Sequence, residues 1–334
     1  MNWLIFLALL LSAPQDPQFP PIGIIDFYGL HSISERQVRE ALQIKEGDSL
    51  SGEPNEAKRR LGSLPGVAEA RIEFVCCDAG KATLYVGIRE KGAPSIQFHP
   101  TPQGKVRLPQ DVIQAGEDLD KAFTEAVIKG NSSEDDSQGH ALTNDQATRA
   151  VQMRFITFAA RDLNILRDVL RHSDDAHHRA LAAQVIAYSA DKQAVVNDLV
   201  EAMRDRADGV RNNAMRALAV MALSARRPDK QPIKIPAHPF IEMLNSIDWT
   251  DRNKSSWALS NLTAQRDPAV LSELRQKALT SLIEMARWKS SRGQEPFLLL
   301  GRVAGFPEDE ITAAWERGDR ASFIEAAAKR AKTK

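Results

Sequence analysis

Arg179-x-x-Ala182-x-x-Val185-Ile186 returns 32 residues later as Arg211-x-x-Ala214-x-x-Ala217-Leu218, and this self-similarity constrains the fold more than any other feature of the chain. A weaker third copy, Asp251-Arg252-Asn253 with Ala258-Leu259 and Leu262, lies 41 residues beyond the second. The surplus length falls between Arg226 and Pro239, where Pro228, Pro232, Pro236 and Pro239 forbid continuous helix. From Asp145 onward apolar residues recur with a 3.6-residue period. The spacing predicts helix pairs, each burying its apolar stripe against the next pair, which describes an α-solenoid. Expected pairs are Ala150 to Leu170 with Ala176 to Ser189, Ala194 to Arg206 with the helix after Asp208, Phe240 to Ser246 with Arg252 to Leu262, and Leu271 to Trp288 with Glu295 to Val303.

The N-terminal part follows a different pattern. An apolar run from Ile22 to Tyr28 ending at Gly29 suits a buried strand and turn. Ser34-Glu35-Arg36-Gln37 matches a capping box, with Val38, Ala41 and Leu42 as the buried stripe of a helix that Lys45-Glu46-Gly47-Asp48 ends. A second helix is expected from Pro54 to Leu64, stopped by Pro65-Gly66. The period then changes to two: Ala70, Ile72 and Phe74 alternate with Glu69, Arg71 and Glu73, and Leu84, Val86 and Ile88 return after a turn at Asp78 to Lys81.

The order strand, helix, helix, strand, strand over Ile22 to Gly92 resembles the POTRA domain, a periplasmic module of outer-membrane assembly, two-partner secretion and cell-division proteins. The similarity is carried by Gly29 after the first strand, Gly47-Asp48 between the helices, Leu64-Pro65-Gly66-Val67 before the second strand, and Val86-x-x-x-Glu90-Lys91 at the end. The resemblance implies binding of extended partner segments by strand addition to an exposed sheet edge. Asp208-Gly209-Val210-Arg211, continuing through Ala214 and Ala217 to Leu218, looks like the second-helix signature of HEAT-like repeats. In that signature Asp208 can cap the helix and Arg211 can pair with an acidic group near the repeat turn. Ala214 and Ala217 permit close helix approach while Leu218 fills the core. HEAT-like repeats also occur in bilin chromophore lyases, which keeps an accessory-enzyme or cofactor-handling role as the alternative reading.

The unbroken apolar run from Trp3 to Leu11 is about 14 Å long as a helix, half of a ~30 Å hydrocarbon core. It is too short for a stable span. Followed by Ser12, Ala13 and Pro14, it fits the hydrophobic region of an export signal, with cleavage left open, and implies a periplasmic or secreted protein. The expected organisation is a signal-like segment over 1–13 and a Pro-rich linker over 14–21, then a POTRA-like α+β domain over 22–92. A connector over 93–144 with one helix (Gln110 to Ile128) and an acidic loop leads to an all-α solenoid over 145–334. The loop, Gly130 to Gly139, is apolar-free and reads as solvent-exposed.

Chemistry has no visible seat. The 334 residues hold 44 Lys+Arg against 44 Asp+Glu, so no global attraction to nucleic acid exists. Two cysteines, Cys76 and Cys77, cannot build a four-thiolate zinc site within one chain, and strand alternation predicts one buried and one exposed thiol. His172, His177 and His178 read as a solvated helix start, and His140 as structural. Arg204, Arg206, Arg211, Arg216, Arg226 and Arg227 interleave with Glu201, Asp205 and Asp208, which reads as a solvated face. No catalytic, metal or cofactor residue is assigned. The chain reads as an exported, non-enzymatic protein-binding scaffold in cell-envelope assembly, whose partner is an extended segment of another protein.

Overall fold

In the computed structural model, which describes residues 20–49 and 54–333, the N-terminal elements are β1 (Ile22–Tyr28), α1 (Glu35–Leu42), α2 (Pro54–Gly62), β2 (Val67–Asp78) and β3 (Lys81–Glu90). The signal-like segment and most of the Pro-rich linker lie outside the described residues. Ser34 and Gln37 form the capping box expected of them. The sheet order is β1-β3-β2, with β1 parallel and β2 antiparallel to the central β3. Helices α1 and α2 cover one face, where Ile22, Ile25, Val38, Leu42, Leu61, Leu84 and Val86 form a core.

After α3 (Gln110–Ile128) come the short strands β4 (Glu134–Asp135) and β5 (Leu142–Thr143), then α4 (Gln146–Arg161), α5 (Leu163–His172), α6 (Ala176–Ile186), α7 (Gln193–Ala202) and α8 (Asp208–Ala225). The chain continues through α9 (His238–Met243), α10 (Trp249–Leu262), α11 (Pro268–Ala286), a 3₁₀ turn (Ser291–Gly293), α12 (Gln294–Ala304), α13 (Glu308–Glu316) and α14 (Arg320–Thr333). Second helices α6, α8, α10, α12 and α14 pack side by side in one layer, termed the inner layer, with α5 and α7, then α9 and α11, in the other. This is a helical solenoid. The single helix expected over Ala150 to Leu170 is broken at Asp162, which leaves the helical region of the backbone. The proline-rich 228–236 segment is non-helical.

The sheet does not stand apart from the helices. Its second face presents Tyr28 and Tyr85 to the solenoid core. The Tyr28 hydroxyl donates to the Ile247 carbonyl at 2.7 Å, and the Tyr85 hydroxyl is 2.6 Å from Ser290 Oγ. The Tyr85 ring stacks on Trp249 at 4.7 Å. Asp26 accepts the backbone N–H groups of Lys289 and Ser290, and Glu73 accepts that of Trp249. All these partners lie at turns joining the first and second helix of a pair. A Cβ on Gly87 would stand 2.6 Å from the Tyr28 ring, so only glycine lets that ring lie on β3.

The connector leading from β3 to α3 runs as a strap along the same row of turns. His99 N–H donates to the Arg204 carbonyl at 2.8 Å, and Gly104 exchanges backbone bonds with His172 and Asp174 at 2.9 and 2.7 Å. Leu108 N–H donates to His178 Nδ1 at 3.0 Å. A Cβ on Gly104 would lie 2.5 Å from the His172 carbonyl oxygen, which explains glycine at that contact.

Candidate protein-binding surfaces

The repeat signature builds an internal ladder. Arg179, 1% exposed, donates to the Ser173 carbonyl and to both carboxylate oxygens of Asp205 in the next pair. Arg211, also 1% exposed, donates to the Asp205 carbonyl and to Asp248 and Asp251. Arg252 donates to the Ser246 carbonyl at 2.5 Å and to Glu284 at 3.2 Å. Each arginine thus ties the carbonyl six residues before it to an acid of the following pair. Burial raises the Asp251 carboxyl to about 6 even though Arg211 opposes the shift. Val210, Ala182, Ala214 and Leu218 are fully buried, and Ala217 nearly so. Asp208 does not occupy the cap. It is the first residue of α8, after Ala207 at the N-cap, and its carboxylate accepts only from Gly209 N–H, while Asp205 accepts from Ala207 N–H.

The basic row is a solvated face only in part: Arg206, Arg226 and Arg227 are exposed, whereas the other three are drawn into pairs. Arg211 is buried in the ladder, Arg204 pairs with Glu242, Arg216 pairs with Glu134, and Arg226 donates to Asn261. The acidic segment also departs from the exposed loop expected. Glu134 and Asp135 pair with Thr143 and Leu142 as a hairpin, because the inner face of α8 offers partners: Arg216 to Glu134, and Ser224 Oγ to the Ser137 carbonyl at 3.1 Å. Between α3, this hairpin, α6 and α8 lies a cleft of about 170 Å³ lined by Leu119, Phe123, Glu134, His140, Tyr188 and Arg216. Burial and the nearby Lys192 hold His140 down at about 4, and Lys192 Nζ, 2.9 Å from His140 Nδ1, also donates to the Ala187 carbonyl. His172 pairs with Asp168, and His178 serves the strap. Among the described residues no His, Cys, Asp or Glu group is placed to hold a metal.

The inner layer has a register read from the ladder. Five positions after Arg179, Arg211 and Arg252 stand Gln184, Arg216 and Trp257, and two positions after Arg211 and Arg252 stand Asn213 and Lys254. Lys254 is half-buried, its Nζ lies 6.0 Å from the Trp257 ring centroid, and burial, with Arg216 and Arg292 nearby, lowers it to about 8. Sequence reading missed Lys254 and Trp257. The signal was there in the register, since counting from the ladder arginine assigns both to the face that carries Arg216.

The second surface is the outer edge of β2. Among the described residues no strand pairs with that edge. A groove of about 510 Å³ runs between it and α2, lined by Asn55, Lys58, Arg59, Glu69 and Arg71 among others. The residues on which the POTRA resemblance rests hold the sheet's margins. Gly29 N–H donates to Glu284, Gly47 N–H donates to the Ile22 carbonyl, and the Asp48 carbonyl accepts Ile22 N–H. Pro65 and Gly66 occupy the turn into β2, and the Gly66 carbonyl accepts Lys91 N–H. Glu90, 7% exposed, accepts the backbone N–H groups of His31, Ser32 and Ile33 and the Ser32 hydroxyl. Cys76 and Cys77 are both exposed and are joined to each other. The one-in, one-out arrangement fails because an irregularity between Val75 and Asp78 breaks the alternation. No described helix is long and apolar enough to cross a membrane.

No family model matches the chain, and no curated protein matches it. Among solved structures, an engineered protein from a structural genomics consortium is 16% identical, covering 64% of this chain and 94% of its own, with a TM-score of 0.36. A designed armadillo repeat protein in complex with the peptide (KR)4 is likewise 16% identical with a TM-score of 0.36, covering 56% of this chain and 94% of its own. Likenesses this loose assign neither a relative nor a ligand.

Proposed function

We propose that the chain is a non-catalytic protein-binding scaffold that captures an extended segment of a partner by strand addition to β2. The observation that carries this reading is the β2 edge, which faces a groove bounded by α2 and has no partner strand among the described residues. An edge strand offers a row of N–H and C=O groups whose satisfaction supplies affinity, while flanking side chains supply selectivity. The opposite face of the sheet rests on the solenoid, so the edge is presented on a rigid base. The βααββ order and the β1-β3-β2 topology support a POTRA-like assignment for this domain. With the apolar run from Trp3 to Leu11, they support export to the periplasm or beyond and partners in envelope assembly.

Photocrosslinking from Ala68 and Arg59, with Glu46 as the remote control, identifies the partner segment. Hydrogen exchange of the full chain with a peptide of that segment then reads the mode. Protection of the β2 amides is the expected result, and protection confined to other elements would overturn strand addition. Sequencing the mature N-terminus after cell fractionation tests export separately.

A further inference from the structure

We propose that the inner face of α10, around Lys254 and Trp257, binds an acidic extended segment of a partner protein, beside the hairpin that already occupies α8. The proposal rests on the scaffold reading above and adds a second, charge-reading surface to it.

The structure contains one instance of this recognition in cis. β4 is extended backbone lying on the inner layer, and its Glu134 carboxylate meets Arg216. One repeat further along, Lys254 stands on the same layer with no carboxylate or carbonyl within bonding distance among the described residues, although Arg216 and Arg292 both repel it. Burial makes its ammonium costly to leave uncompensated. Arg292, exposed in the 3₁₀ turn before α12, also has no ion pair among the described residues. Glu134 acts on Lys254 but is already held by Arg216, and Glu295 lies near Arg292, its carboxyl raised by burial while Arg292 opposes the rise. A carboxylate arriving on Lys254 gains an unshared cation, and its aliphatic stem gains the half-buried Trp257 ring.

Geometry selects an extended acidic chain. Packed helices stand about 8–10 Å apart, and a chain in the polyproline II form advances about 3.1 Å per residue and returns every third side chain to the same side. Every third residue of such a segment therefore faces the next helix of the layer, so an acidic residue three positions from one on the Arg216 row reaches Lys254, with Arg292 nearby.

The test uses the full chain and a fluorescein-labelled peptide carrying glutamate at every third position among serines and alanines, read by anisotropy. The expected result is binding that falls at least about tenfold when glutamine replaces glutamate and about tenfold in Lys254→Gln. In Glu134→Gln, which releases Arg216, binding tightens several-fold. Arg292→Gln, at an exposed site, provides a weaker loss without risk to folding. Equal binding of the glutamine peptide, no effect of Lys254→Gln, or equal competition by a single-stranded oligonucleotide would each overturn the proposal. Failure here with β2 crosslinks intact removes this surface alone, whereas loss of the β2 crosslinks removes the scaffold reading.

Discussion

The Phe98 ring lies over the guanidinium of Arg211, with the Arg211 Cζ 4.0 Å from the ring centroid. Tyr28 stands in the same relation to Arg252 at 4.6 Å. Two successive rungs of the buried arginine ladder are thus lidded by aromatic residues from the strap and from β1, which joins the sheet and the solenoid through the groups that hold the repeats together. Phe98→Ala removes a desolvated cation–π contact and half-buried apolar area, and an expected loss of about 1–3 kcal/mol follows. Urea unfolding checks this, and hydrogen exchange should report the loss first at the strap amides His99 and Gly104.

Arg211 is expected to resist conservative replacement. Its fork reaches Asp248, Asp251 and two carbonyls at once, and lysine offers a single point of donation. Arg211→Lys therefore leaves buried carboxylates partly unpaired and should cost about 3–5 kcal/mol. Arg216→Lys, at a half-buried pair, should cost about 1 kcal/mol or less. Thermal melts of both variants test the ranking, and equal losses would contradict the ladder's structural role.

Glu73 carries a pH signature. Burial, with Asp248, Asp208 and Asp251 nearby, raises its carboxyl to about 7, against the Trp249 N–H that lowers it. Its folded value lies above its unfolded value, so the folded state holds the extra proton between about 4.5 and 7. That contribution is complete below 4.5 and lost as pH rises through 7. Glu73→Gln keeps an acceptor for Trp249 and removes the charge. It should stabilise the protein by about 1–2 kcal/mol at pH 8 and change little at pH 4.5. Asp251, raised to about 6, shares the sign, so some slope should survive below pH 6 in the variant.

The repeat register was legible because Arg179, Arg211 and Arg252 each do the same work at a fixed distance from a turn, and identical work leaves identical residues. The β1-β3-β2 sheet was legible from period and turn residues. What escaped was contact between distant segments. Phe98 sits among prolines and glycines with no period to announce its burial. Tyr28 and Tyr85 alternate with the residues that face α1 and α2, and only the near-continuous apolar run of β3 hinted that both sheet faces are covered. The hairpin was misread because polarity alone was weighed, and Glu134 is half-buried through Arg216 rather than through apolar area. At the candidate surface, Lys254 looked like any helix lysine until the ladder placed it one repeat from Arg216.

Glu90 should show the opposite pH dependence to Glu73. Burial opposes ionisation there, yet the Ser32 hydroxyl and the N–H groups of Ile33, His31 and Ser32 prevail and hold the carboxyl at about 2. Its folded value lies below its unfolded value, so the stability it contributes is complete above about 4.5 and lost as pH falls through 2. One carboxylate collects the N–H groups of the loop between β1 and α1, and among the described residues those donors have no other acceptor. Glu90→Gln keeps one acceptor oxygen but sets an amide donor against those N–H groups. The expected cost is about 1–3 kcal/mol at neutral pH. The variant's melting temperature should also lose its dependence on pH between 4.5 and 2 relative to the parent, and a parallel pair of curves would refute the carboxylate's role in holding that loop.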